Sequence, residues 1–352
     1  MGFTQLAGAQ RRLLCIFTDM ILVTGGTGLV GGHLLYRFRE SELTINAIYR
    51  TKASIDKTRR IFESYEGGAA SLVDDINWIQ ADILDLPSLE NAMKGVTQVY
   101  HCAAALDADS FEQLKKVNVT GTQHLIDLSI ARKVEKFCYV SSIATLGNPL
   151  GDQSINEEDF FNPDAKNTDY AISKYGGEME AWRASQEGLP VIIVNPGVIL
   201  GEGCYDTGSG QLFSKTANNQ PFYVSGSSGF VDVRDVVSIM QQLMESSIKN
   251  ERFILIADNQ LFKDLLDLIA TSLKSKKPYF KLRKWMLYTV YALLKIPSWL
   301  GITKGLSLAQ IETFTSRTIY SNEKVTDALS YEFKDLKPTI ERVALDYQKQ
   351  KN

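Results

Sequence analysis

Cysteine and histidine are scarce in this chain of 352 residues, which holds four of the first and three of the second. Cys15, Cys102, Cys138 and Cys204 lie far apart with no CxxC pair, which argues against a zinc ligand pair and a dense disulfide framework. His33, His101 and His124 show no HExxH-like spacing, so no metal site is expected. Excess charge is missing too: 38 basic residues face 41 acidic ones, a net charge of −3. Without a strong positive field or a finger or RNA-binding motif, nucleic acid is set aside as a partner. Trp285–Leu294 is an apolar run of ten residues closed by Lys295 and Pro297, short of the ~20 that a spanning helix requires.

What remains is an ordinary folded chain, 44% hydrophobic and 22% charged. At roughly 150 residues per domain it makes about two units. Cys102 and Cys138 sit inside apolar runs, where buried free thiols are common, and a reducing, cytoplasmic setting fits them. Residues 1–19 do not read as part of a fold. Arg11-Arg12 is followed by the short run Leu13–Phe17, below the ~7–15 apolar residues of a signal-peptide core, and no small-residue cleavage site follows. A leader or an early-assigned start is expected there, disordered, with Met20 the natural start; a mobile arm is the alternative.

From Met20 short β-branched runs alternate with helical patterns. Strands are expected at 21–23, 45–49, 77–80, 98–101, 136–141 and 191–195, and another at 253–257. Helices are expected at about 30–39, 111–132, 169–186 and 231–245. Such alternation predicts an α/β fold, a doubly wound parallel Rossmann sheet covered on both faces. Residues 20–200 with 231–270 would form it, and 201–230 with 271–352 a small, discontinuous C-terminal lobe that binds substrate.

Thr24-Gly25-Gly26-Thr27-Gly28-Leu29-Val30-Gly31 follows the first strand and opens the first helix. Gly25 suits a tight turn, Gly28 allows backbone to approach a pyrophosphate, and Gly31 allows close helix packing. The helix N-terminus then offers N–H groups to the anion. A dinucleotide is the ligand this pattern predicts. An NAD site would end its second strand with an acid for the ribose hydroxyl. Here Ala47-Ile48-Tyr49-Arg50-Thr51-Lys52 carries none, and the Arg50 guanidinium can grip a phosphate, so NADP(H) is favoured over NAD(H).

Tyr170 and Lys174 stand at i and i+4 on one helix face. A nearby cation lowers the phenol pKa and brings it closer to useful acid–base behaviour. Ser141-Ser142 ends the fifth strand, where a hydroxyl can hydrogen-bond a substrate oxygen; the spacing leaves open which serine acts.

With these motifs in place, the chain resembles the extended short-chain dehydrogenase/reductase (NAD-dependent epimerase/dehydratase) family from about Met20 onward. The resemblance also rests on Asp82-Ile83, His101-Cys102-Ala103-Ala104, Asn118-Val119-Thr120-Gly121-Thr122, Pro196-Gly197-Val198-Ile199 and Val231–Val236. It implies Tyr170 as acid–base, Ser142 positioning the carbonyl, and Lys174 lowering the Tyr170 pKa while binding the nicotinamide ribose. Gly25, Thr27, Gly28, Leu29, Val30 and Arg50 would hold the adenosine and phosphates, with Asp82 and Ile83 beside the adenine. Ala103, Ala104 and Ala105 would line the centre of the cofactor, and Pro196 and Val198 the nicotinamide end. Asn118 would order the helix beside the site, His101 would be structural, and Asp232 and Arg234 would brace the lobe.

Within the family, Ser142-Ile143-Ala144-Thr145 lacks the Asp–Glu pair of dehydratases, and the second strand lacks the acid of epimerases. Ile192–Gly201 and Tyr49–Lys52 look most like the dihydroflavonol reductase and 3β-hydroxysteroid dehydrogenase branch. A carbonyl reductase or alcohol dehydrogenase with a small, apolar substrate is therefore expected. A nucleotide-sugar epimerase and a non-catalytic dinucleotide sensor are the alternatives. The resemblance also implies a homodimer through the helices at 111–132 and 169–186. Six basic residues (Lys274, Lys276, Lys277, Lys281, Arg283, Lys284) precede Trp285–Leu294. The stretch 274–300 could touch a membrane surface, or form a core helix of the small lobe with a solvated basic entry.

Overall fold

The computed structural model describes residues 19–41, 43–147, 154–299 and 305–351. All but the last residue of the expected leader therefore lies outside the described residues. The chain runs β1 (Met20–Thr24), α1 (Leu29–Arg37), β2 (Thr44–Tyr49), α2 (Ile55–Tyr65), β3 (Asn77–Gln80) and α3 (Leu86–Ala92). It continues β4 (Gln98–His101), α4 (Phe111–Lys115), α5 (Gly121–Ala131), β5 (Lys136–Val140), α6 (Asp169–Gln186) and β6 (Val191–Pro196). Shorter elements follow: β7 (Val198–Leu200), α7 (Gln211–Ala217), β8 (Phe222–Tyr223), β9 (Ser227–Asp232), α8 (Val233–Glu245) and β10 (Glu251–Leu255). The last are β11 (Asp258–Leu261), α9 (Phe262–Leu273), β12 (Phe280–Lys281), α10 (Lys284–Trp299), α11 (Leu308–Thr315), α12 (Glu323–Leu329) and α13 (Leu336–Lys351).

Seven strands make one parallel sheet in the order β10-β6-β5-β4-β1-β2-β3. Apolar side chains of α1, α2 and α8, among them Leu34, Phe62 and Met240, cover one face. Leu89, Leu125 and Ala181 from α3, α5 and α6 cover the other, so the sheet is doubly wound as expected. Strand order reverses at β1, which has β2 on one side and β4 on the other. In sheets of this kind the ligand crevice lies beyond the carboxyl ends of the strands at that reversal.

Two expectations are corrected. The helix expected over 231–245 begins at Val233, because Val231 and Asp232 pair with β7 in a three-stranded sheet of β11, β9 and β7. Residues 111–132 are not one regular helix: a π-helical turn, Lys116–Thr120, separates α4 from α5. Beyond the parallel sheet, Leu265 and Ile269 of α9 meet Ile340 and Val343 of α13 and Phe213 of α7.

Asp232 and Arg234 brace this C-terminal part, as the resemblance implied. Asp232 caps α8 by accepting the Arg234 N–H at 2.9 Å, and accepts Thr339 at 2.9 Å and Arg342 at 2.7 Å from α13. Fully buried Glu202 takes both Arg234 (2.7 Å) and Arg342 (2.8 Å). Removing one partner of a buried ion pair costs about 3–5 kcal/mol. Arg342→Ala, which strands part of two buried carboxylates, is expected to lower stability toward urea by about 3 kcal/mol. A loss below about 1 kcal/mol would show that water reaches these acids.

Candidate active site

The glycine turn comes first, at the end of β1. Gly25 has φ +69°, in the left-handed region, and a Cβ there would lie 2.6 Å from the Ala103 nitrogen. The two loops flanking the strand-order reversal thus touch backbone to backbone. A Cβ on Gly31 would fall 2.2 Å from the Gly25 carbonyl oxygen, so α1 rests directly on the turn. Gly28 donates to Gly25 O at 2.9 Å and caps α1 with no side chain over the helix end. The first-turn amides of α1 are left without a side-chain cap beside the crevice, with partly buried Thr27, Leu29 and Val30 around them. Bare amides, a glycine cradle and a strand-order reversal together fit a dinucleotide pyrophosphate.

The loops after the other strands gather at the same edge. Arg50 follows β2, is exposed, and makes no ion pair among the described residues. Asp82 and Ile83 follow β3: Asp82 Oδ1 accepts the Leu84 N–H at 2.9 Å, and Ile83 is buried against Gly121. Ala103, Ala104 and Ala105 follow β4. The Ala103 N–H donates to Thr24 Oγ1 at 3.2 Å, and the Ala105 N–H to Asn118 Oδ1 at 2.8 Å. Pro196 ends β6, and Val198 begins β7.

Asn118 stands behind the loop that follows β4. It is buried, and its amide donates to Ala105 O and to Ser173 Oγ, both at 2.9 Å. Every polar atom of the side chain is spent joining the β4 loop to α6, so it positions the site from behind. His101 is structural as expected, buried between Thr24 Oγ1 (2.7 Å) and Thr122 Oγ1 (2.9 Å). Thr24 accepts from Ala103 and Thr122 donates to Asn118 O, an arrangement satisfied by the Nε2–H tautomer. Burial holds the His101 pKa down at about 3.

Thr168 caps α6, its hydroxyl accepting the Ala171 N–H at 3.1 Å. This sets Tyr170 and Lys174 one turn apart beside the end of β5. Ser142, whose Oγ accepts the Ala144 N–H at 3.2 Å, lies near enough to Tyr170 for its hydroxyl to lower the phenol pKa. Ser141 is turned the other way, donating to Glu178 Oε2 at 2.6 Å. Of the two serines, Ser142 is the one that meets the phenol.

Lys174 is buried, donates to Val140 O at 2.8 Å, and lies 4.3 Å from the centre of the Tyr139 ring. Burial lowers its pKa from 10.5 to about 7, and the Glu178 carboxylate works against that fall. Burial raises the Tyr170 pKa and the nearby Ser142 hydroxyl draws it back.

Sequence reasoning missed Glu178. Its carboxylate is fully buried and accepts Ser141 (2.6 Å), Thr145 (2.7 Å), Asn195 (2.9 Å) and Arg252 (3.2 Å). The signal was present: Glu178 stands at i+4 from Lys174 and i+8 from Tyr170 on the same face. An arginine in second place in the strand Glu251–Leu255, ahead of three apolar residues, also pointed to a buried acid. Two clefts, of about 470 and 500 Å³, lie away from all these residues, one beside Asp264 and Lys277 and the other beside Arg60 and Arg342.

A sequence model of the NAD dependent epimerase/dehydratase family matches residues 21–257. The chain belongs to that family. It is an NAD(P)-dependent enzyme of the extended short-chain dehydrogenase/reductase kind. Over 332 residues it is 26% identical to the putative dihydroflavonol 4-reductase of Synechocystis sp., with 92% of each chain covered. It is 26% identical over 246 residues to cinnamoyl-CoA reductase 1 of Petunia hybrida, covering 67% of this chain and 72% of that one. The crystal structure of gox2253 superposes with a TM-score of 0.78 at 26% identity, over 94% of this chain and 98% of that one.

The depressed Lys174 pKa has a consequence for stability. Between pH 7 and 10.5 the unfolded chain binds a proton that folded Lys174 has released, so this residue makes stability rise with pH across that window. Below pH 7 the cost of burying the ammonium is present in full. Urea unfolding from pH 7 to 10 should show a rising contribution that Lys174→Met removes; an unchanged slope in the variant would contradict the assignment.

Proposed function

We propose that this enzyme is an NADP(H)-dependent carbonyl reductase or alcohol dehydrogenase acting on a small, apolar substrate. The observation that carries the reading is Ser142 at the end of β5 near Tyr170, with Lys174 one helical turn further along α6, at the strand-end edge that also bears the glycine turn. The names of two relatives, a putative dihydroflavonol 4-reductase and a cinnamoyl-CoA reductase, support carbonyl reduction. Arg50 at the end of β2, with no acid there, supports the 2′-phosphate form of the cofactor, although the family is named for NAD.

NADP(H), when bound, supplies or accepts the hydride. Gly25, Gly28 and the first-turn amides of α1 hold its phosphates, and Arg50 holds the extra phosphate. Ser142 fixes the substrate oxygen by a hydrogen bond, and Tyr170 gives that oxygen its proton or takes it away. Lys174, with a pKa of about 7, exchanges a proton readily at neutral pH and can turn from the Val140 carbonyl to a ribose hydroxyl. An epimerase has weaker support because the acid for its NAD ribose is missing from β2. A dinucleotide sensor has weaker support because both Tyr170 and Lys174 are present.

The proposal includes a homodimer in a reducing, cytoplasmic setting. Supporting it, α6 exposes Ile172 and Met179, seven residues apart on one face, while α5 packs at its side.

Tyr170→Phe tests the mechanism. The variant should bind NADPH as tightly as the parent and reduce a panel of apolar ketones and aldehydes about 10²–10⁴-fold more slowly. Undiminished turnover would remove Tyr170 from the reaction. No turnover by the parent on any carbonyl or alcohol, with cofactor bound, would favour the sensor.

A further inference from the structure

Residues 268–311 contain no aspartate or glutamate, in a chain whose net charge is −3, and this stretch of 44 residues carries eight lysines and arginines. Lys274, Lys276, Lys277, Lys281, Arg283 and Lys284 are all exposed. Only Lys284 forms an ion pair among the described residues, with Glu312 at 2.6 Å, and Lys277 shares a cleft with Asp264 and Asp267.

The helix that follows is apolar on both sides. Buried Leu287 and half-buried Tyr291 and Leu294, at i, i+4 and i+7, form its inner face. Trp285, Ala292 and Leu293 form the opposite face and point to solvent, with Trp285 61% and Leu293 70% exposed, while Tyr288 beside them donates its hydroxyl to Glu312 at 3.1 Å. A helix on a water-facing protein surface ordinarily turns charge outward, and this one turns out a tryptophan and a leucine. Tyr279 (77% exposed) and Phe280 stand out from the segment leading into it, where Phe280 packs edge-on against exposed Phe222.

We propose that the outward face of α10, with the basic segment that leads into it, docks on an anionic lipid surface. The chemistry is complementary on both counts. Lysines and arginines meet the headgroup charge, and aromatic rings with a leucine enter the boundary between headgroups and acyl chains. Among the described residues no helix is long and apolar enough to cross a bilayer, so the contact is one of lying on the surface. A second copy fits this face poorly. A two-fold contact sets a patch against itself, and a patch with six exposed basic residues, of which only Lys284 is ion-paired among the described residues, would then face its own charge. The inference stands apart from the oxidoreductase reading, since the binding it concerns needs neither cofactor nor turnover.

Flotation of the full chain with vesicles tests it. The protein should float with vesicles of equal parts phosphatidylcholine and phosphatidylglycerol, stay behind with phosphatidylcholine alone, and release at high salt. Leu293→Ser should weaken the partition roughly tenfold, and Lys281→Glu with Arg283→Glu should abolish it, with thermal unfolding unchanged in each. Tryptophan emission should shift to the blue on vesicle addition in the parent and much less in Trp285→Phe. Failure of the parent to float with the anionic vesicles overturns the proposal, as does flotation unaffected by Leu293→Ser. Loss of a dimer in Leu293→Ser without any vesicle binding in the parent also overturns it, and assigns the face to a second copy.

Discussion

A carboxylate shut away from water must be met by charge and by hydrogen bonds, and Glu178 is met by both. Its two oxygens take a guanidinium from β10, hydroxyls from the turn after β5, and an amide from β6. These contacts fix where the β5 turn stands relative to α6. Ser141 is committed to Glu178, and since successive residues of an extended chain point to opposite sides, Ser142 is delivered to Tyr170. The same carboxylate favours a charged Lys174 one turn away. Arg252 extends the network by donating to the carbonyls of Glu157 and Asp159, which anchors the chain between β5 and α6.

The parallel sheet supplies the second constraint. Its strands all end at one edge, so residues far apart in sequence arrive together without a long-range motif to mark them. Gly25 admits the backbone of Ala103, and Asn118 ties Ala105 to Ser173, which links the cofactor half of the crevice to the Tyr170 half. The π turn carrying Asn118 breaks the regular helical hydrogen bonding where that side chain makes these links.

Much of this was legible in the sequence because it depends on local signals. Glycine spacing after a β-branched run marked the turn, and Tyr170 with Lys174 marked the helix face. The misreadings arose where tertiary partners decide. Val231 looked helical because its apolar pattern runs into that of α8, yet Asp232 is the helix cap and Val231 pairs with Ile199. The Glu178 network joins α6, β6 and β10, and no spacing rule connects residues that meet only when the sheet forms. The direction of the Lys174 ammonium was likewise hidden, since the carbonyl that holds it belongs to the end of β5.

The oxidoreductase reading rests on the cofactor, and titration of the purified protein with NADPH and with NADH, followed by nicotinamide fluorescence, tests it most directly. Tight binding of NADPH with weak binding of NADH is the predicted result, because Arg50 stands where an NAD site would carry an acid. A preference for NADH, or NAD carried through purification, would contradict it and bring the epimerase reading to the front.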